Sequence, residues 1–101
     1  MKPQSTNPDL PQLTTFQFAV LDILGMWNAP FSGKNLRACL KVAGINKSGP
    51  AFYLLMREME TAELVRKCDG TKTITGIPIR VRAYERTELG ARALREALNF
   101  K

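Results

Sequence analysis

The stretch SGPAFYLLMREMETAELV, residues 48–65, decides how the rest of the chain is read. Ser48 is a natural N-cap, and Pro50 is tolerated just inside the start because the first-turn N–H groups have no intrahelical partner. Phe52, Leu55, Met56 and Met59 recur at i, i+3, i+4 and i+7, which puts one apolar face on a helix over 48–62. Beyond it, Leu64 to Cys68 is short and partly β-branched and ends at Asp69-Gly70, so it predicts a strand.

Working back toward the N-terminus, Gly44-Ile45-Asn46-Lys47 is a four-residue turn, and Gly44 ends a second helix capped by Ser32. That helix places Leu36, Cys39, Leu40 and Ala43 on one side and Lys34, Arg37 and Lys41 elsewhere. Asn28-Ala29-Pro30 separates it from a first helix that runs to about Met26. The first helix opens with a capping box, Thr14 and Gln17, and a hydrophobic staple, Leu13 and Phe18. Phe16, Val20, Ile23, Leu24 and Trp27 form its buried stripe. Residues 1–12 carry Pro3, Pro8 and Pro11 among polar neighbours and are expected to be a disordered arm.

Toward the C-terminus, residues 79–87 alternate, with Ile79, Val81 and Ala83 on one face and Arg80, Arg82, Tyr84 and Arg86 on the other. The intervening 69–78 segment, with Gly70, Gly76, three threonines and Lys72, predicts a protruding, mobile loop. Thr87 caps a last helix that turns Leu94, Ala97 and Leu98 inward and Arg92 and Arg95 outward. The order is α+β: three helices, a two-stranded wing and a C-terminal helix, the layout of a winged helix-turn-helix domain over 13–101.

The residues of 48–65 add a resemblance. Ser48, Phe52, Tyr53, Met56, Arg57, Met59, Glu60, Leu64 and Val65 resemble the recognition-helix signature of PadR-type transcriptional regulators. Pro30-Phe31-Ser32-Gly33 and the run RVRAYERTELGARAL, residues 80–94, are similar to the family's entry to the second helix and its basic wing strand. The likeness covers about residues 13–98. Family members usually carry Pro-Gly-Thr where this chain has Gly49-Pro50-Ala51, which removes a hydroxyl at an expected DNA-facing position. Many relatives continue into long helices used for dimerisation and effector binding, so the resemblance is to a short form.

Charge agrees with a nucleic-acid partner. Fifteen Lys and Arg against nine Asp and Glu give +6 over 101 residues, a potential that attracts polyanions. Histidine is absent, which excludes Ser/His/Asp and Cys/His mechanisms and His-containing zinc sites. Two cysteines, Cys39 and Cys68, cannot supply four thiolates, and they form a redox switch only if the fold brings them together. No metal, cofactor or catalytic residue is expected, nor an enzyme. The longest apolar stretch, FAVLDILGMW, is broken by Asp22 and too short to span a membrane, and no secretory signal precedes it, so a cytoplasmic protein without membrane contact is expected.

The expected interface follows from the layout. Lys47, Ser48, Ala51 and Phe52 stand at the leading end of the third helix, with Tyr53 and Arg57 a turn apart behind them. Phe52 fits the core stripe at least as well, and Arg57 is equally placed to pair with Glu60. Thr71, Lys72 and Thr73 are expected at the wing tip, with Arg80 and Arg82 following the DNA backbone or the minor groove. Arg86 is expected to be solvated strand surface, and Glu58, Glu60 and Glu63 a solvated acidic patch that repels DNA there. Trp27 is either core or the lining of an effector pocket; no effector is otherwise indicated. Double-stranded DNA is the expected partner and a homodimer the expected state, with part of the first helix and Phe100 at its interface. The rival is a winged-helix protein-interaction module or adaptor, since one fold hosts many functions.

Overall fold

Residues 12–26 and 30–99 are described by the computed structural model. The expected arm up to residue 11, Trp27 and Phe100 lie outside them. The elements run α1 (Thr15–Met26), β1 (Phe31–Ser32), α2 (Gly33–Val42), α3 (Gly49–Thr61), β2 (Val65–Ile74), β3 (Ile77–Arg86) and α4 (Glu88–Asn99). The winged helix-turn-helix expected from the order is the fold observed.

Its boundaries are built by the predicted side chains. At α1 the Thr14 N–H donates to Gln17 Oε1 (3.0 Å) and the Gln17 N–H returns to Thr14 Oγ1 (3.1 Å), with Leu13 and Phe18 both packed on the core. Ser32 Oγ accepts from the Asn35 N–H and Ser48 Oγ from the Ala51 N–H. α2 ends in a Schellman turn: the Ile45 N–H reaches Leu40 O, the Gly44 N–H reaches Lys41 O, and Gly44 sits at φ +90°. α3 ends the same way, through Leu64 to Met59 O and Glu63 to Glu60 O, with Glu63 taking the left-handed position usually given to glycine.

The core is one cluster. Val20, Leu21 and Leu24 from α1, Leu36 and Leu40 from α2, Phe52, Met56 and Met59 from α3, and Leu94 from α4 close around Leu64, Val65 and Tyr84. Ala43 and Leu98, expected inside, are exposed; α4 turns the expected face inward and buries Leu94, but the burial is centred one turn nearer its start, at Gly90, Ala93 and Leu94, with Ala97 half-buried. The shift follows from Gly90, where a Cβ would lie 2.2 Å from Leu64 O. α4 approaches the post-α3 turn there, and Thr87 fixes it: its hydroxyl lies within hydrogen-bond distance of Glu63 O and Leu64 O and accepts from the Gly90 N–H (3.0 Å).

The sheet departs from expectation twice. It has three strands, ordered β1-β3-β2, because Phe31 and Ser32 pair with Tyr84 and Ala83. A two-residue strand is too short to show an alternation in sequence. Second, there is no long wing loop: β2 and β3 pair continuously from Val65↔Arg86 to Ile74↔Ile77, and only Thr75-Gly76 turn between them. Both turn residues have positive φ (49° and 80°), the requirement of a two-residue type I′ hairpin. Residues 69–74 and 77–78 therefore belong to the strands, and the wing is a ribbon.

Candidate nucleic-acid interface

α3 buries Phe52, Met56 and Met59 and leaves Pro50, Leu54, Arg57, Glu58 and Thr61 on the opposite side, facing solvent. Burial of one face thus dictates which residues are presented. Phe52 is 0% exposed and is withdrawn from the interface: its ring packs edge-on against Phe16 (6.2 Å between centroids) and Tyr53 (4.8 Å). Lys47 and Ser48 are exposed at the leading end and Ala51 is half-buried. Tyr53 is 45% exposed, but its phenol lies against Gly33 at the start of α2, where a Cβ would come within 2.6 Å of the hydroxyl. It joins the two helices as well as facing outward.

Arg57 does not pair with Glu60. Glu60 instead approaches Lys67 of β2 (3.9 Å), and among the described residues Arg57 has no ion-pair partner. Its guanidinium therefore stands exposed one turn beyond Tyr53.

Two features of this surface were missed in the sequence. The first is Arg37 with Lys34. The Arg37 guanidinium donates to Lys47 O (3.4 Å), stands 6.0 Å from the centre of the Phe52 ring and lies beside Gly49. It braces the turn that presents α3, through a weakly favourable cation–π contact and a backbone hydrogen bond. With Lys34, Lys41, Asn46 and Lys47 it lines an open groove of about 230 Å³ between α2 and the turn. The i, i+3 spacing of Lys34 and Arg37 was visible, but nothing in one helix's pattern says which other element it will face. The second is Leu54, 57% exposed in the middle of the presented face. Its signal was a leucine out of phase with the 52, 55, 56, 59 stripe.

The wing residues are rearranged relative to expectation. Thr71, Lys72 and Thr73 are not at the tip but along β2, opposite Arg80, Ile79 and Pro78. Arg80 and Arg82 share one ribbon face and are exposed, Arg80 lying near Asp69 (3.7 Å) in a pair so open to solvent that it contributes little. Tyr84, on that same face nearer the root, is not interleaved surface: it is 3% exposed, covered by the helices. Burial, with Glu60 adding to it, holds the Tyr84 phenol above its ordinary pKa. Arg86 is half-buried, not simply solvated, and its guanidinium lies over Gly25 of α1. Cys39 and Cys68 are both free thiols, on α2 and β2, and burial pushes the Cys68 thiol up. No group of three or more potential metal ligands is assembled among the described residues. No helix among them is long and apolar enough to cross a membrane.

These elements define a winged helix-turn-helix domain with a cation-flanked third helix. Its architecture is that of solved PadR-like regulators. Bacillus subtilis PadR, crystallised with operator DNA, superposes with a TM-score of 0.64 at 17% identity, over 85% of this chain and 49% of that one. A PadR-like transcription factor from Bacteroides fragilis gives 0.62 at 18% identity, over 82% and 76%. A PadR-family regulator from Eggerthella lenta is 28% identical with a TM-score of 0.54, over 78% and 67%. No family model and no curated protein matches the sequence.

Proposed function

We propose that the chain is a sequence-specific DNA-binding transcriptional regulator, a repressor that acts by occupying its operator, with α3 in the major groove and the wing on the backbone or in the minor groove. The observation that carries this reading is the presented face of α3. Leu54, Arg57 and Glu58 project from a helix whose other face is locked into the core, and Lys47, Lys34 and Arg37 surround its leading end. Those side chains match the chemistry of base edges: guanidinium for guanine O6 and N7 and an alkyl group for the thymine methyl, while the Glu58 carboxylate, which repels phosphate as the sequence predicts, has a cytosine amine as its complementary base group. The cations suit phosphate, and so do the N–H groups at the start of the helix. The structural likeness to a PadR solved on its operator supports the same use of the fold.

The state proposed is a homodimer, reading two half-sites about 34 Å apart. Met26 and Leu98, exposed apolar residues on the first and last helices, are surface that a second copy would cover. Sedimentation across a concentration range tests this, and a sharp monomer at tens of micromolar would overturn it.

Selection of bound duplexes from a random pool tests the function. A recovered consensus that loses its preference at one or two positions with Arg57→Ala supports the reading. Failure to enrich any sequence, with binding no tighter than to bulk DNA, contradicts it.

A further inference from the structure

The apex of the wing is apolar, although the molecule around it is basic. Ile74 and Ile77 face each other across the last rung of the ribbon, and Ile79 follows Ile77 on the same face. They are 46%, 61% and 40% exposed. Below them the register sets Lys72 opposite Ile79, and the face continues through Val81 and Gly70 to Ala83 and Cys68, while the opposite face carries Arg80 and Arg82. Described residues from Thr73 to Ile79 include no charged side chain. The uncharged part of the tip is thus the turn and the Ile74–Ile77 rung, with the nearest cation of the sequence, Lys72, two register pairs below.

Shape narrows what can receive it. The Thr75-Gly76 turn is as short as a hairpin allows, so the tip is two strands wide, about 5 Å between backbones. The B-form minor groove, about 6 Å across, is narrower than two strands with their side chains, so seating the tip in it requires the groove to open, as it does where a base step is unstacked and kinked. Paired isoleucines at such a tip have the size of a wedge that enters between base pairs. Arg80 lies three residues below Ile77 on β3, and Arg82 five, so both stand where the flanking phosphates run. A second copy is the poorer occupant of this strip, because two ribbons laid together there would bring the Arg80 and Arg82 of both copies close, whereas a duplex meets those cations with phosphates.

We propose that Ile74 and Ile77 form an apolar wedge that enters the minor groove beside the α3 site, partly unstacks one base step and bends the duplex. The proposal rests on the DNA-binding reading above and deepens it, assigning the wing a deforming role where a basic wing would only follow the backbone. The preferred step is a flexible pyrimidine–purine one, TA or CA/TG, because unstacking there costs least. Specificity for that step then arises without a hydrogen bond to its bases.

The test uses the full chain and the duplex recovered by selection, with 2-aminopurine placed in turn along the minor-groove flank and dyes at the ends for energy transfer. Both isoleucines are exposed, so I74S/I77S is expected to fold, checked by its melting curve. Expected for the native chain are a rise in 2-aminopurine emission at one step and shortened end-to-end distance. Expected for I74S/I77S are loss of both signals and affinity weaker by about tenfold or more, the scale of uncovering one isoleucine side chain. The salt slope should be unchanged, because no phosphate contact is removed. Equal affinity and equal emission for the two proteins would overturn the wedge while leaving the α3 reading intact, provided Arg57→Ala still alters sequence preference. A sedimentation change in I74S/I77S without DNA would overturn it in favour of self-association through the strip. If the native chain binds no duplex specifically, the reading beneath it fails as well.

Discussion

Leu54 and Arg57 differ from their neighbours on α3 only in which way the helix turns them, and that phase makes one pair candidates for base readout and the pair Phe52 and Met56 core. Leu54 leaves 57% of its surface in water, and that apolar area is what a bound duplex would cover. If Leu54 covers a thymine methyl, replacing that thymine by uracil weakens binding of the native chain by about three- to tenfold, the scale of one buried methyl group. In Leu54→Ala the same replacement is expected to change little. A cycle with equal losses in both proteins would remove Leu54 from the base contacts. Arg57 was legible from the sequence as a choice between guanine and Glu60. It could not be decided there, because the competitor that takes Glu60, Lys67, comes from a strand seven residues further on.

The elements themselves were largely legible, since caps and stripes are local and act within four or five residues. Thr14, Ser32, Ser48 and Thr87 all cap as their spacing predicted. What failed was governed by pairing at a distance. β1 exists only because β3 lies beside it, and the 69–78 segment is strand because its two halves zip together, despite threonines and glycines that suggest a loop. The inward face of α4 was legible, but one such remote contact moves its buried part a turn toward the helix start. Gly90→Ala is expected to destabilise by about 2–3 kcal/mol: the new methyl meets a backbone carbonyl that cannot move aside, and overpacking outweighs the gain of nearly 1 kcal/mol in helix propensity. Urea denaturation measures it, and a neutral or stabilising result would mean that α4 and the Leu64 turn are not this close. Tyr84 makes a second element-scale prediction. Its phenol is held above its ordinary value near 10, so the folded state keeps the proton longer than the unfolded state. Stability from this group is complete below about pH 10 and declines as pH rises through the unfolded and then the folded pKa. In denaturation at pH 9 to 11, Tyr84→Phe should flatten that decline.

On the scale of the whole molecule, the body and ribbon form an elongated shape, 56 × 25 × 22 Å, and ten-residue strands of about 33 Å account for much of the long axis. Such a shape offers two separated contacts to one duplex, α3 and the wing. The +6 charge was legible in composition, but its distribution was not: cations gather at the α2–α3 turn and the mid-ribbon, and the wing tip has none among its described side chains. If Arg80 and Arg82 each neutralise one phosphate, the double alanine variant should lower the magnitude of the log–log salt slope by about 1.8. It should weaken binding to all sequences alike, as measured by fluorescence anisotropy from 50 to 200 mM salt. An unchanged slope would place both arginines off the backbone.

The central claim is that the face of α3 turned away from the core is the surface that meets DNA. Amide chemical shifts of the labelled chain, followed while the selected duplex is titrated in, address it most directly. Shifts and broadening concentrated from Lys47 through Glu58, with a second group along the ribbon and little change in α4, are the predicted result. Perturbations confined to α1 and α4, or none at saturating duplex, would contradict it.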